Sequence, residues 1–262
     1  MKSITSRDNP LYKELKQLAT SSQVRRKAGR TLLDGVHLCQ AYCQHLGMPQ
    51  LCIVAEDALN HPEVVSLLAE CEQKGTVCIS LSHALYHALS QVENGVGVMF
   101  VIQTPNPEFP LELKQSSVLL DNLQDPGNLG SILRSAAAAG INNIFCSHGT
   151  AFAWSPKVMR AGMGAHFLLN IFENVALEEV LATATIPVLA TSSHTQQTIY
   201  QTDLNQPVVW LFGHEGQGVS PQLMRMATQT VTIPQQAAIE SLNVAASAAI
   251  CFFEQVRQQL PT

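Results

Sequence analysis

The chain has 262 residues, 46% of them hydrophobic and 13% charged, which is enough to build a substantial core in one large or two ordinary domains and excludes a disordered chain. Its net charge of −5 hides a split: residues 1–30 hold eight basic side chains against two acidic ones, a local +6, while the other 232 residues carry −11. No uncharged apolar run approaches the ~18 residues that span a bilayer, and residues 1–10 contain no apolar h-region, so a cytoplasmic protein without a membrane partner is expected.

The basic cluster comprises Lys2, Arg7, Lys13, Lys16, Arg25, Arg26, Lys27 and Arg30. In an otherwise acidic chain such a cluster attracts a polyanion, and nucleic acid is the expected partner; the plain alternative is a solvated amphipathic helix followed by a loose loop at residues 25–27. The seven cysteines, at 39, 43, 52, 71, 78, 146 and 251, are odd in number and set in apolar stretches, which reads as buried thiols in a reducing compartment. Cys39 and Cys43 stand beside His37 and His45, but no second paired cluster accompanies them, so no metal is expected.

In chain order, Asn9-Pro10 reads as an N-cap and first helical residue, with Leu11, Leu15 and Leu18 at helical spacing to about residue 20. Strand 31–33, helix 36–46, strand 51–54, helix 62–74, strand 77–81, helix 82–91 and strand 96–102 follow, making a small α/β layer over residues 1–103. Residues 104–110 contain three prolines and read as a stiff linker. A second domain, 111–262, then alternates again: strand 117–122, helix 129–139, strand 143–146, helix 156–162, an apolar stretch 167–171 and helix 177–184. Strands 188–190 and 208–212, a helix opened by Ser220-Pro221, strand 230–233 and a final helix complete it. This alternation implies a mostly parallel sheet covered on both faces, with ligands beyond the carboxyl ends of its strands.

Three loops at those strand ends carry the unusual residues. The first, 122–134, has Gly127 and Gly130 for a tight turn, Asn128 as a helix cap, and Arg134 nearly two turns into the helix. It lacks a Gly-x-Gly-x-x-Gly fingerprint and a later acidic partner, so a dinucleotide-binding enzyme fits poorly. The second, 211–220, has three glycines in six residues around Glu215, letting a ligand or crossing chain approach the backbone. The third runs from Ile233 through Glu240, Ser241, Leu242 and Asn243 into a helix with no charge from 242 to 253, a helix that must be buried and whose small residues suit a close partner. Glu240 or Ser241 is the expected cap of that helix.

These three stretches, Asn122-Leu-Gln-Asp-Pro-Gly-Asn-Leu-Gly-Ser-Ile-Leu-Arg134, Leu211-Phe-Gly-His-Glu-Gly-Gln-Gly-Val-Ser220 and Ile233-Pro through Ser241-Leu-Asn-Val244, resemble in residues, order and spacing the motifs of the SpoU/TrmH branch of the SPOUT RNA methyltransferases. Residues 4–10 and 29–35 resemble the substrate-binding domain often fused ahead of it. The resemblance implies an α/β fold in two parts, a small ribosomal-protein L30e-like domain and a SPOUT domain with a parallel sheet and a C-terminal trefoil knot. It implies a homodimer that transfers a methyl group from S-adenosylmethionine to a ribose 2′-hydroxyl of RNA, ribosomal RNA ahead of transfer RNA. Carried over by position, Gly213, Ile233 and Leu242 contact the cofactor, and Arg134, Asn128, Glu215, Ser241 and Asn243 form the catalytic set; from the basic cluster, Arg7, Lys13, Arg25, Arg26, Lys27 and Arg30 are expected to bind RNA.

The chemistry fits these residue types. An arginine is always protonated, so Arg134 is read as a donor to a neighbouring phosphate and to the developing alkoxide, with Glu215 holding its guanidinium. The chain departs from the family at Gln235, Ala237 and Ala245, where Met, Gly and Ser are usual, so the loop around the cofactor is expected to be shaped differently. A transfer-RNA enzyme of the same branch and a non-catalytic RNA-binding or assembly factor on the same fold are the competing readings.

Overall fold

The computed structural model describes residues 1–92, 95–236 and 241–260. Contacts divide the chain into one unit of Met1–Thr104 with Trp154–Phe167 and another of Pro105–Ala153 with Leu168–Thr262. The break after Thr104 falls at the proline-rich stretch.

The first unit contains β1 (Lys2–Ile4), α1 (Pro10–Thr20), α2 (Ser22–Ala28), β2 (Arg30–Asp34), α3 (Val36–Leu46), β3 (Leu51–Ala55), α4 (Pro62–Gln73), β4 (Val77–Leu81), α5 (His83–His87) and β5 (Val98–Gln103). Its sheet runs β1-β4-β3-β5-β2, with β1, β4 and β3 parallel and β5 antiparallel to both neighbours. Asn9 does cap α1, accepting from the Leu11 and Tyr12 amides, and the helix buries Tyr12, Leu15 and Leu18.

Two expectations fail here. Residues 25–27 are not a loose loop: they lie in α2, whose start is held by Ser21 accepting from the Val24 amide and whose end is released by Gly29 at φ +59°. The helix expected over 82–91 stops at His87, because buried Asp34 accepts from Tyr86, the Ser90 hydroxyl (2.7 Å) and the Gln91 amide (3.0 Å), fixing the following chain to the end of β2.

The chain continues with β6 (Ser117–Leu120), α6 (Pro126–Ala138), β7 (Asn143–Ser147) and α7 (Pro156–Gly162). Helix α7 was expected in the second domain, yet its segment belongs to the first unit. There the Trp154 carbonyl accepts from the Thr31 hydroxyl at 2.8 Å, and Phe167 meets the Tyr42 ring edge-on at 5.5 Å. The second unit resumes with β8 (Asn170–Val175), α8 (Leu177–Ala182), β9 (Val188–Thr191), β10 (Val209–Phe212), α9 (Pro221–Met226), β11 (Gln229–Val231) and α10 (Val244–Gln259).

Its sheet is parallel throughout, ordered β11-β9-β10-β6-β7-β8. Parallel strands send every carboxyl end to one edge, so the turns after β11, β9, β10 and β6 are neighbours by construction. Phe145 and Phe172 stack at 4.6 Å on one side of the core, with Phe109 edge-on to both.

Helix α10 lies beside α6 and buries Ala248, Cys251, Phe252 and Gln255, a 3.6-residue stripe. Gln255 accepts from the Trp210 indole at 2.8 Å and donates to the Ser116 hydroxyl at 2.8 Å, a buried polar pair that is fully partnered. The segment between β9 and β10 touches β11's exit, where Thr232 donates to Gln197 and Ile199 to Thr232, and touches α10, where Gln258 bonds Leu204 and Thr202. Among the described residues no helix is long and apolar enough to cross a membrane.

Candidate active site

Strand β6 ends at Leu120, and the turn after it is tied down at once. Asp121 accepts from the Ser220 amide at 2.8 Å, joining the start of the first loop to the end of the second, and Asn122 takes the left-handed conformation at φ 56°. The cap of α6 is Asp125, which accepts from the Asn128 amide at 2.8 Å, and Pro126 occupies the first helical position. Asn128 was expected to be that cap. Its side chain is instead engaged across the site.

The second loop is a closed turn. His214 and Gly218 exchange backbone hydrogen bonds of 3.0 and 2.8 Å, and the His214 ring nitrogen accepts from the Gly216 and Gln217 amides. Gly213 is obligatory, since a Cβ there would lie 2.0 Å from the Gly218 carbonyl carbon. This turn presents Glu215 to the first loop, where its carboxylate accepts from the Gln124 amide (3.2 Å), the Asp125 amide (2.9 Å) and the Asn128 side-chain amide (3.1 Å). Partial burial opposes the charge on Glu215, but the donors from Asp125, Asn128, its own backbone and Gln124 outweigh it and hold the carboxyl below its ordinary range.

The third loop contributes Asn243. It, and not Ser241, caps α10, accepting from the Ala245 (2.9 Å) and Ala246 (3.2 Å) amides, because the helix begins at Val244 and Ser241 stands too far upstream. The Asn243 amide then donates to the Asn128 side-chain oxygen at 2.9 Å. Asn128 therefore uses one end of its amide on Asn243 and the other on Glu215, and all three loops are joined through it. Glu240 and Ala237 lie outside the described residues.

Beside this clasp, at the ends of β9, β10 and β11, opens a cavity of about 630 Å³ whose walls include Gly213, Glu215, Ile233, Gln235, Ser241 and Leu242. All three residues expected to touch a cofactor line it. Ser192, Ser193 and His194, from the turn after β9, line it too, and they carry no sequence signal, having neither glycine nor formal charge. Arg134 stands exposed on α6, and among the described residues it forms no ion pair. Glu215 was expected to hold that guanidinium; among the described residues the two form no ion pair, and the carboxylate accepts from three amide donors of the first loop.

The basic residues separate into three groups. Arg25 is buried, donating to the Leu18 (2.6 Å) and Ala19 (3.2 Å) carbonyls at the end of α1, and desolvation lowers its pKa. It closes a helix and is not available to RNA. Lys13 pairs with Asp8 at 3.0 Å and Arg30 with Glu14, while Arg7, Arg26 and Lys27 are exposed.

Residues 115–253 match the model of the SpoU rRNA Methylase family, over half the chain. The chain belongs to this SpoU family. An uncharacterised tRNA/rRNA methyltransferase of Synechocystis is 34% identical, covering 98% of this chain and 94% of that protein. The 23S rRNA (guanosine(2553)-2′-O)-methyltransferase RlmP of Bacillus subtilis is 27% identical over 97% of this chain and 98% of its own. Among solved structures, the SpoU methyltransferase AviRb of Streptomyces viridochromogenes, in complex with AdoMet, matches at a TM-score of 0.87 with 25% identity, covering 96% of this chain and 98% of that one. The family match and the parallel sheet thus agree on one fold.

Proposed function

We propose that this chain transfers the methyl group of S-adenosylmethionine to a ribose 2′-hydroxyl of ribosomal RNA. The observation that carries the reading is the clasp of Asn128, Glu215 and Asn243 beside a cavity floored by Gly213. A volume of about 630 Å³ lies within the range of small-ligand sites. The donor set suits the cofactor: apolar Ile233 and Leu242 for its flat base and aliphatic arm, Ser192, His194 and Ser241 for its polar groups. When bound, S-adenosylmethionine supplies an electrophilic methyl and its own leaving group, so the protein need only orient the hydroxyl and help its proton depart.

Arg134 binds a neighbouring phosphate and donates to the developing alkoxide. Glu215, held ionised by amide donors, organises the first loop, and the proton leaves to the substrate phosphate or to water. Asn128 and Asn243 keep the loops in register, and Ser241 faces the cavity. Arg7, Arg26 and Lys27 engage the RNA backbone from the first unit, a domain of L30e-like type reaching to Thr104.

The outer stripe of α10, with Ala246 and Phe253 exposed on a helix free of charge from 244 to 253, is assigned to a second copy of the chain. A concentration-independent monomer in sedimentation overturns that. The segment between β9 and β10, bonded to β11's exit and to α10, supports a trefoil knot in which the C-terminal stretch passes through it.

Incubating the protein with labelled S-adenosylmethionine and separate pools of ribosomal and transfer RNA, then mapping 2′-O-methyl positions, tests the reading. Label in transfer RNA alone transfers the substrate assignment, and RNA binding without label turns the chain into a binding factor.

A further inference from the structure

In the first unit, far along the chain from the motifs above, β3 and β4 pair in parallel with Ala55 opposite Leu81. Asp57 and His83 each lie two residues beyond that paired position, Asp57 in a short turn and His83 opening α5, so the register itself sets them side by side. His87 follows His83 by four residues on the same helix, the spacing that stacks two side chains on one face. The two imidazole rings are 4.2 Å apart, and the His83 Nε2 atom is 3.5 Å from the Asp57 carboxylate. One nitrogen from each histidine and one oxygen from Asp57 all lie within 4.8 Å of one another.

We infer that Asp57, His83 and His87 form a binding site for a borderline divalent transition metal such as Zn²⁺ or Ni²⁺. Two neutral imidazoles and one carboxylate are the donors that such ions favour over Mg²⁺ or Ca²⁺, and a His pair at i and i+4 is a spacing that Zn²⁺ takes on helices. The cluster stands at the surface: the His83 and Asp57 side chains are 66% and 53% exposed. That exposure also leaves open positions for water on the ion. Tyr86, which is buried, meets the His87 ring edge-on at 6.0 Å. A bound ion would join the turn after β3 to the helix after β4, adding a clamp just beyond the last paired residues of the two strands. The sequence does not announce the site, because Asp57 lies far from the histidines in the chain and only the sheet register unites them.

The test uses the full chain, stripped with a chelator, titrated with Zn²⁺ by calorimetry and with Co²⁺ by visible absorption. The expected result is one saturable equivalent at micromolar concentration, with a cobalt spectrum free of thiolate charge transfer. His87→Ala and Asp57→Asn should each weaken binding at least about tenfold while leaving the melting temperature of the metal-free protein and methyl transfer unchanged. Thiolate charge transfer would place the ion on the buried cysteines and overturn the proposal. Unaltered affinity in His87→Ala, or no saturable binding, would overturn it too and leave Asp57 and His83 as an ion pair only.

Discussion

Replacing Asn128 by Asp is the most informative single change, because it keeps shape and removes one donor. The wild-type amide donates to Glu215 at 3.1 Å and accepts from Asn243 at 2.9 Å. An aspartate retains the second bond, loses the first, and sets a carboxylate against a carboxylate. The lost hydrogen bond to a charged acceptor costs about 1 kcal/mol at an exposed position. Two like charges about 3 Å apart repel by about 1 kcal/mol at the dielectric of water and about 5 at an effective value of 20, and this solvated pair belongs near the lower end. The variant should therefore lose roughly 2–3 kcal/mol at neutral pH.

The sign of the pH dependence is distinctive. Repulsion raises the pKa of the facing pair in the folded state, so its cost is present when both groups are ionised and fades as pH falls through that raised value. Wild-type Glu215 behaves oppositely: its lowered pKa gives stability present above the ordinary carboxylate range and lost as pH drops through the folded value. Urea unfolding of wild type, Asn128→Asp and Asn128→Ala at pH 7.5 and 5 measures this. A deficit in Asn128→Asp that does not shrink toward that of Asn128→Ala on acidification refutes the clasp.

Arg134 makes no ion pair among the described residues, so Arg134→Ala should leave stability within about 0.5 kcal/mol and S-adenosylmethionine affinity near normal, while methyl transfer falls at least about a hundredfold. Lost cofactor binding with intact chemistry sinks that assignment. Gly213→Ala should fail to fold or to bind cofactor, since its new Cβ meets backbone that cannot move aside, and a normal binding isotherm would contradict it. Lys27→Ala should weaken RNA binding and flatten its salt dependence, whereas Arg25→Ala should instead lower the melting temperature by uncapping α1. Filter binding and thermal scans separate the two.

The glycines at 213 and 218 and the polar residues of the three loops were legible because each marks a local backbone demand. So was the alternation of strand and helix in the second unit, which lengths and turn residues set. What the chain hid were choices among equally able side chains. Asp125 and Asn128 can both cap α6, and Ser241 and Asn243 can both stand before α10; the structure decides because Asn128 is drawn to Glu215 and Asn243, partners about 90 to 115 residues away. Arg25 looks like its basic neighbours until α2 forms and turns it inward onto α1. The excursion at 154–167 and the antiparallel placement of β5 are likewise settled by distant packing rather than local pattern.

The bond from Trp210 to Gln255, and from Gln255 on to Ser116, has a consequence for synthesis. Ser116 precedes β6 and Gln255 sits in the last helix, 139 residues later, so nearly the whole second unit must be made before that helix docks. The wall that Leu242 gives the cavity arrives with the same late segment. Until α10 docks, the β6 and β10 loops thus stand without the Leu242 wall of the cavity. Trp210, one of two tryptophans, is positioned to report that moment by fluorescence.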